Sequence, residues 1–408
     1  MNKKFKQVVI AGASTFYVKN LGDEAMLLNL VQSIKRFNKN IKIVLLARHP
    51  NKKLDKMYGI KSIKTFEFDK RQLSVGKFFF GLNSNDNTQH LETIRKTLTK
   101  SDALILAGNL FMELFPNSFL KGIGSYSAFL GTLAKFFRLK IYLTSVNLLN
   151  HTKSEITQQY LTFFSDNAQK VCVRENNSYR NFIKFNFNQR KLKVIGDSAF
   201  GIKININNNL VKKICPPLFI KNNVKFIGVC IRAEYWKKQN FNKIFKQYAK
   251  ILSKVALKTN SKLIFIPNAF SKARPWMDDR VVNKKIIKFL DKKVQHFSIK
   301  KELNLFEVYN IISKLDMHIT NRRHSGIFAL SQKIQTIFFE TSLKGHLKPL
   351  LESLNLQKNI MDLNNKNENL VEKILRAWKA RDHVKKIYQK KIFPLKKRVR
   401  KEFNSLIN

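Results

Sequence analysis

The stretch Ile319-Thr320-Asn321-Arg322-Arg323-His324-Ser325 joins a short apolar strand, which ends at Ile319, to a helix predicted over residues 326–331. A strand followed at once by a helix is the repeating unit of an open α/β sheet. In such sheets, ligands bind at the carboxyl ends of the strands, and a helix N-terminus at that edge favours an anion. Two guanidiniums, an amide and an imidazole at this junction therefore predict a site for a small phosphorylated or carboxylated ligand that also exchanges a proton. The simpler alternative is a solvated turn with one satisfied histidine.

The same alternation of strands and helices runs through both halves of the chain. In the first half, apolar runs typical of strands buried on both faces cover residues 8–11, 41–47, 103–106, 141–146 and 170–173. In the second half, the predicted strands cover residues 226–231, 263–267, 317–319 and 336–339. Helical spacing in the intervals covers residues 24–37, 126–137, 155–165, 241–258, 281–290 and 307–315. This rhythm predicts an α/β protein with two doubly wound, Rossmann-like domains facing across a cleft.

Two segments interrupt the rhythm. Residues 205–223 are polar at both ends and contain Pro216-Pro217, which predicts a linker between a first domain at 1–204 and a second at 224–367. Residues 368–408 predict a basic helical tail that Pro394 should break into two segments. A basic amphipathic helix can lie on anionic lipid, whereas a solvated closing helix is the alternative.

The charge balance is extreme, with 77 Lys and Arg against 27 Asp and Glu, for a formal net charge of +50 over 408 residues. Such a charge is typical of proteins that meet nucleic acid, an anionic membrane surface or acidic substrates. Lysine is spread over every polar face, however, and the chain has only 14 Gly and 8 Pro. A compositional bias therefore explains part of the charge, and charge alone does not identify the partner.

Cysteine usage and the absence of targeting signals indicate the compartment. Cys172, Cys215 and Cys230 show no CxxC spacing, so a disulfide framework and a zinc site are both poorly supported. The basic N-terminus runs directly into a strand, unlike a signal peptide, and no run of about 18 apolar residues occurs. We expect a cytoplasmic protein, soluble or peripheral at the inner face of the membrane.

Two further segments supply candidate site residues. Asn20-Leu21-Gly22-Asp23-Glu24-Ala25 opens the first helix, where Gly22 permits a tight turn and Asp23 or Glu24 suits the helix dipole. The alternative is that these residues only cap the helix, and the preceding loop lacks GxGxxG. Arg232 follows strand 226–231 directly, where a guanidinium can hold a carboxylate or phosphate, unless it is a surface arginine. The histidines show no HExxH pattern, so we expect no metal site.

Five motifs in order resemble those of the polysaccharide pyruvyl transferase family over most of the chain. The motifs are the strand and helix start at 8–26, Asp102 to Leu110, Val171-Cys172-Val173-Arg174-Glu175-Asn176-Asn177-Ser178, Asp197-Ser198-Ala199-Phe200, and Arg322-Arg323-His324 with the later Lys344. The chain departs from the family pattern at four positions. Arg323 replaces a leucine, Lys333 and Gln335 replace a Gly-x-Pro, and Thr341 replaces an aromatic residue.

The resemblance implies a fold similar to two-domain GT-B glycosyltransferases, and transfer of pyruvate from phosphoenolpyruvate to a sugar as a ketal. The implied reaction needs no cofactor beyond this donor, and the implied acceptor is a sugar of a surface polysaccharide or its lipid-linked precursor. On this interpretation Arg232, Arg322 and Lys344 hold the two anionic groups of the donor, and His324 is the acid or base. Arg322 is counted with His324 as catalytic, and Asn321 and Asn20 are further substrate-binding residues. Asp23 and Glu24 face the acceptor sugar across the cleft.

Two other functions compete with this hypothesis. A GT-B glycosyltransferase that uses a nucleotide-sugar would need the same arginines to hold a diphosphate. A non-catalytic nucleic-acid-binding protein is suggested only by the charge, and the chain lacks an aromatic-basic recognition motif. We therefore expect no specific nucleic-acid partner.

Overall fold

The computed structural model describes residues 5–12, 20–66, 89–111, 122–149, 154–219, 224–233, 241–271, 275–340, 347–365 and 369–408. The chain divides into two compact units. Unit 1 is drawn from Met1–Val18, Met26–Ser198 and Arg398–Asn408, and unit 2 from Lys19–Ala25 and Ala199–Lys397. The division differs from the predicted domains, because the start of the first helix groups with the C-terminal unit and the end of the chain with the N-terminal unit.

Unit 1 is built on a seven-stranded parallel sheet in the order β3-β2-β1-β4-β5-β6-β7. Its strands are β1 (Gln7–Ala11), β2 (Lys42–Ala47), β3 (Lys61–Lys64), β4 (Ala103–Ala107), β5 (Lys140–Val146), β6 (Ala168–Val173) and β7 (Leu192–Val194). The described helices before Ser198 are α1 (Leu21–Phe37), α2 (Lys52–Tyr58), α3 (Gln89–Thr99), α4 (Ile123–Phe136), α5 (Glu155–Asn167) and α6 (Asn176–Lys184). Strands β1 and β4 are buried along almost their whole length, as all-apolar strands between helical layers should be.

Unit 2 is built on a six-stranded parallel sheet in the order β10-β9-β8-β11-β12-β13. Its strands are β8 (Lys225–Cys230), β9 (Ser261–Phe265), β10 (His296–Ser298), β11 (Met317–Thr320), β12 (Gln335–Glu340) and β13 (Ile360–Asp362). The helices from α7 onward are α7 (Asn208–Ile214), α8 (Phe241–Lys258), α9 (Asp279–Ile287), α10 (Leu305–Ile312), α11 (Arg323–Ser331), α12 (Lys348–Ser353), α13 (Leu370–Lys379), α14 (Arg381–Val399) and α15 (Glu402–Ile407). α15 and the end of α14 are counted with unit 1.

The strand order of unit 2 places a topological switch point between β8 and β11. From β8 the chain moves outward through β9 to β10, and from β11 it moves the other way through β12 to β13. β8 and β11 are hydrogen-bonded neighbours, with Val229 opposite Ile319 and Cys230 opposite Thr320. In open α/β sheets the gap outside the carboxyl ends of two such strands is where ligands bind. The fold therefore puts the residues that follow Cys230 and Thr320 side by side at that position.

The two predicted interruptions have regular structure in the chain. Residues 205–219 of the predicted linker include α7, which is capped by the Asn207 side chain, and a short 3-10 helix at Pro216–Phe219. The prediction that Pro394 breaks the tail is wrong, because Pro394 lies inside α14. Buried side chains recur along this helix at helical spacing, at Tyr388, Ile392 and Leu395. Their packing offsets the backbone hydrogen bond that proline cannot donate.

Cys172, Cys215 and Cys230 are free and buried. Burial raises the pKa of the Cys215 and Cys230 thiols to about 12, so both remain protonated at neutral pH. None of the helices in the described part of the chain has the length and apolar character that crossing a lipid bilayer requires.

Candidate functional site

Asn321 fixes the backbone of Arg232 at the switch point of unit 2. Its Oδ1 accepts a hydrogen bond from the Arg232 N–H (2.8 Å), and its Nδ2 donates to the Arg232 carbonyl (3.0 Å) and the Tyr248 hydroxyl (3.3 Å). Both N–H groups of the buried amide are therefore used within the protein. Asn321 was predicted to bind substrate, whereas the structure shows it holding together the two strand ends from which Arg232 and Arg322 depart.

Arg322 forms an ion pair with the fully buried carboxylate of Asp279. Its Nε lies 2.9 Å from Asp279 Oδ1, and Nη2 contacts the same oxygen. Burial opposes the charge of the guanidinium, but the adjacent carboxylate outweighs burial and raises the pKa of Arg322. The other carboxylate oxygen accepts the backbone N–H groups of Asn268 (2.9 Å) and Ala269 (3.0 Å). Arg322 thus connects the end of β11 to the loop that follows β9.

Two residues of β11, Thr320 and His318, form hydrogen bonds with the start of α11. The Thr320 hydroxyl accepts the Arg322 N–H (2.9 Å) and donates to the Cys230 carbonyl (2.7 Å). His318 Nε2 lies 2.8 Å from the Ser325 hydroxyl. Burial lowers the pKa of His318 to about 3, so this imidazole is neutral at physiological pH and acts as a structural partner.

His324 occupies the first turn of α11 and packs against Gly22. A Cβ atom added to Gly22 would lie 2.1 Å from His324 Nδ1 and 2.4 Å from Cγ. Any side chain at position 22 would therefore displace the imidazole or the start of α1. The prediction gave Gly22 the role of permitting a tight turn, whereas its φ is not positive and the imidazole lies where a side chain at this position would be.

Asn20 caps α1 and joins it to the loop after β9. Its Oδ1 accepts the Gly22 N–H (3.3 Å), and its Nδ2 donates to Asp23 Oδ2 (2.6 Å). The Leu21 N–H donates to the Asn268 carbonyl (3.3 Å), and Asn20 forms an antiparallel bridge with Ala269. Asp23 and Glu24 are both buried in the first turn of the helix. The structure supports the cap interpretation for Asn20.

These contacts link four segments of unit 2 into one group, called the strand-end cluster below. The cluster consists of Asn20–Ala25, Arg232, Asn268–Ala269 with Asp279, and Asn321–His324. It combines a guanidinium on a fixed backbone, an imidazole at a helix start and two carboxylates at another helix start. Anion binding coupled to proton transfer is the chemistry that such a set of groups supports.

The structure brings together most of the residues that the sequence predicts. Arg232, Asn321, Arg322, His324 and the segment 20–25 all lie in unit 2, whereas the prediction assigns that segment to the first domain. Lys344 lies outside the described residues. Sequence reasoning missed Asp279 and Tyr248. Asp278 and Asp279 do carry a helix-start signal, but nothing local in the sequence indicates a pairing with Arg322.

Metal ligation finds no support among the residues that the structure describes. No group of three or more His, Cys, Asp or Glu side chains in these ranges is arranged to hold a metal ion. The cations of the strand-end cluster come from arginine, and its carboxylate at Asp279 is used by Arg322 and two backbone amides.

Comparisons with known proteins identify one matching family. The profile described as polysaccharide pyruvyl transferase matches residues 20–342. This range includes the segment at Asn20, Arg232 and the junction at His324. No curated protein sequence matches the chain significantly.

Solved structures similar to the chain share its two-unit fold at low sequence identity. An Anabaena protein, HepE, solved with UDP and glucose, has a TM-score of 0.61 at 13% identity, covering 98% of this chain and 100% of that chain. A Rickettsia africae glycosyltransferase has a TM-score of 0.57 at 14% identity, with coverages of 100% and 98%. The UDP-GlcNAc 2-epimerase of Methanocaldococcus jannaschii has a TM-score of 0.59 at 10% identity, with 91% of each chain covered. The predicted GT-B architecture with two Rossmann-like domains is confirmed.

Proposed function

The chain belongs to the polysaccharide pyruvyl transferase family, and we propose that it transfers pyruvate from phosphoenolpyruvate to a sugar of a surface polysaccharide or its lipid-linked precursor. The product is a cyclic ketal. The observation that carries this proposal is the meeting of Arg232 and the Arg322–His324 junction at neighbouring strand ends of the switch point, inside the range that the family profile matches. Because phosphoenolpyruvate bears a phosphate and a carboxylate, it needs cationic groups of this kind.

The reaction balances without an oxidant or a cofactor. A proton adds to the methylene carbon of phosphoenolpyruvate, which becomes a methyl group and leaves an oxocarbenium-like centre at C2. One sugar hydroxyl attacks C2 and loses its proton, and the C2–O bond to phosphate breaks. A second hydroxyl of the same sugar then attacks C2 and closes the ring. The two hydroxyls release two protons, and the methylene carbon takes up one. The remaining proton leaves with inorganic phosphate.

Arg232 is the cation that we assign to the donor, together with Lys344. The backbone of Arg232 is fixed at both its N–H and its carbonyl by Asn321, so the guanidinium starts from a rigid position. A cation held in place stabilises the charge of a departing phosphate without reorganising. Arg322, whose Nε and Nη2 contact Asp279, is assigned chiefly to holding the cluster in shape.

His324 is the group that we assign to proton transfer. It lies at the junction that follows Arg322, and its ring is confined by Gly22. A confined imidazole keeps the short donor–acceptor distance that general acid–base catalysis requires. Asp23 and Glu24 follow Gly22 directly in the first turn of α1, so we assign this acidic pair to the acceptor hydroxyls.

The proposed setting is the cytoplasm, at the inner face of the membrane. Free, buried cysteines are consistent with a reducing compartment. A lipid-linked acceptor would bring the enzyme to the bilayer surface, where a peripheral contact suffices.

Calorimetric titration with phosphoenolpyruvate tests the donor assignment. We expect saturable binding to the wild type and a loss of roughly tenfold to hundredfold in affinity for Arg232→Ala, because one charge-assisted contact is removed. Arg376→Ala is the matched control, since Arg376 is an exposed arginine on α13 in the same unit. This control should bind like the wild type.

The same titration with a uridine-diphosphate sugar distinguishes the rival function. The HepE neighbour was solved with UDP and glucose. Binding of the nucleotide-sugar alone, with no phosphoenolpyruvate binding, would replace the proposal with glycosyl transfer. Equal binding of any polyanion, abolished by salt and unaffected by Arg232→Ala, would favour the non-catalytic alternative.

A further inference from the structure

The amino ends of five strands of unit 1 form one edge of its sheet. In the parallel registers, Gln7 lies beside Lys42, Val8 beside Ala103, and Ala103 beside Lys140. We call this surface the amino edge; it consists of the residues that begin β1 to β5 and of the helix ends and turns that lead into those strands. It lies opposite the carboxyl edge, where open α/β sheets bind their ligands.

Three of the large exposed apolar side chains belong to this edge. Phe37 is 44% exposed, Met57 is 36% exposed and Phe136 is 79% exposed. Each lies at or next to the end of a helix that leads into a strand: α1 into β2, α2 into β3 and α4 into β5. Exposure of single apolar residues is common. These three, however, all lie on the same edge of the sheet, which makes that edge a candidate contact surface.

The backbone that presents these side chains is well anchored. The Phe37 ring packs edge-on against the buried Phe403 (5.3 Å between centroids), which also packs against Phe5 (5.8 Å). Phe136 packs edge-on against Phe137 (5.2 Å), and Phe137 lies against the core of unit 1. The exposed rings therefore project from a rigid base.

Basic residues lie close in sequence to the two exposed phenylalanines. Arg36, Lys39 and Lys42 flank Phe37, while Lys135, Arg138 and Lys140 flank Phe136, and all six are exposed. The carboxylates described in the same segments are used locally. Asp102 accepts the N–H groups of Lys6 and Gln7, and Asp55 accepts the Ser62 N–H and hydroxyl. These hydrogen bonds leave the two carboxylates charged, but the six exposed cations outnumber them, so the edge is positive around its exposed apolar side chains.

We propose that the amino edge of unit 1 docks on an anionic lipid bilayer, with Phe136 entering the headgroup region. Cations attract anionic headgroups, and isolated apolar side chains among them insert into the interface. A nucleic-acid surface would instead need aromatic rings arranged to stack successive bases, and Phe37, Met57 and Phe136 stand apart at the ends of three different helices. This inference does not depend on the transfer reaction.

The amino edge fits a bilayer better than the basic tail does. The apolar face of α14, formed by Tyr388, Ile392 and Leu395, is buried within the protein. An interfacial helix needs its apolar face for the lipid. Phe393 is an exposed apolar residue on α14. It is therefore a matched control for Phe136 at the amino edge.

Sedimentation with phosphatidylcholine vesicles, with and without phosphatidylglycerol, tests the proposal. We expect binding that requires phosphatidylglycerol. Phe136→Ser should weaken it by about tenfold, and the combined variant Lys135→Ser, Arg138→Ser, Lys140→Ser by about a hundredfold. The controls are Phe393→Ser and the combined Lys385→Ser, Lys386→Ser, Lys390→Ser, which change the same residue types on α14. Both controls should bind like the wild type.

The opposite pattern would overturn the proposal. Equal losses in the edge and tail variants would show that binding follows total charge, and losses confined to the tail variants would place the contact on α14. Wild-type vesicle binding by the edge variants, with reduced binding of a DNA duplex, would make the edge a nucleic-acid surface. Urea unfolding midpoints should be unchanged in all variants, because every substituted side chain is exposed.

Discussion

The contact between Gly22 and His324 gives the site its tightest geometric constraint. The imidazole occupies the space that a side chain at position 22 would need. Gly22 has an ordinary helical role otherwise, since it lies in the first turn of α1. Gly22 therefore matters because its lack of a side chain leaves room for the His324 imidazole.

We expect Gly22→Ala to reduce kcat by about a hundredfold while the protein remains folded. The added methyl group displaces the imidazole by about an ångström, and displacements of that size commonly cost this much in rate. Steady-state kinetics of transfer and a urea unfolding curve measure the two quantities. A kcat within about twofold of the wild type would show that the ring position is unimportant.

A double-mutant cycle separates positioning from general damage. In a His324→Ala background, Gly22→Ala should have no further effect on kcat, because the ring that it displaces is already gone. Additive losses would mean that Gly22 acts through some other part of the site.

Arg322 and Asp279 form a buried ion pair in the strand-end cluster. Arg322→Ala should lower the free energy of unfolding by about 3–5 kcal/mol, because it leaves a fully buried carboxylate without its cation. Arg322→Ala combined with Asp279→Ala should recover part of this loss. Urea denaturation measures both, and a single variant as stable as the wild type would contradict the assignment.

Sequence reasoning located these residues better than it assigned their roles. Residue type and position at a strand end suffice to place Arg232, Arg322 and His324 at the carboxyl edge. The different roles of these three residues depend on contacts with residues that are distant in sequence. Asp279 neutralises Arg322, and the amide of Asn321 is used by Arg232 and Tyr248. No local pattern indicates those pairings.

The last helix of the chain, α15, carries a carboxylate into the interior of unit 1. Glu402 is fully buried and accepts hydrogen bonds from the side chains of Asn29 (2.8 Å), Thr144 and Ser198. Burial raises the pKa of Glu402 above its usual value in spite of these donors. The helix is thereby tied to α1 and to the end of β5.

The stability that this helix provides should depend on pH. Because the folded-state pKa of Glu402 is raised, the folded protein holds more protons than the unfolded chain above about pH 4.3. Its contribution to stability therefore falls as the pH rises from that value through the folded-state pKa. Glu402→Gln has no such titration, so the free energy of unfolding of the wild type minus that of the variant should fall over this window. Urea denaturation across a pH series measures it, and a difference that rises with pH would be the wrong sign.

The predictability of an element depended on its length and its apolar character. The helix at Phe241–Lys258 and the buried strands β1, β4 and β11 were predicted to within about two residues, because their periodicity is strong. The short strands β3, β7, β10 and β13 were missed, since three or four residues carry little periodic signal. Pro394 misled the prediction because tertiary packing, which the sequence does not display, holds α14 together.

The charge of the whole molecule should make its stability depend on salt. With 77 basic and 27 acidic side chains, the folded chain repels itself, and added salt screens that repulsion. We expect the urea unfolding midpoint to rise when sodium chloride is added to a low-salt buffer. A midpoint that stays constant or falls would show that the cations are already locally compensated.

The alternation of strands and helices predicted two doubly wound domains. It did not predict to which of the two units the first helix turn and the end of the chain belong. Lys19–Ala25 belongs to unit 2 and Arg398–Asn408 to unit 1. Both assignments rest on contacts between residues hundreds of positions apart, such as Leu21 with Asn268 and Asn29 with Glu402. The periodicity of a strand or helix predicts which residues share a face of that element. It does not predict contacts between residues far apart in sequence.

Transfer itself is the most direct test of the account. The protein would be incubated in D₂O with carbon-labelled phosphoenolpyruvate and a panel of glycans that carry two free hydroxyls at ketal-forming distance. We predict labelled ketal in the glycan, a deuterium atom in its methyl group, release of phosphate, and loss of all three in His324→Ala. Phosphoenolpyruvate left intact beside a uridine-diphosphate sugar that is consumed would contradict the account.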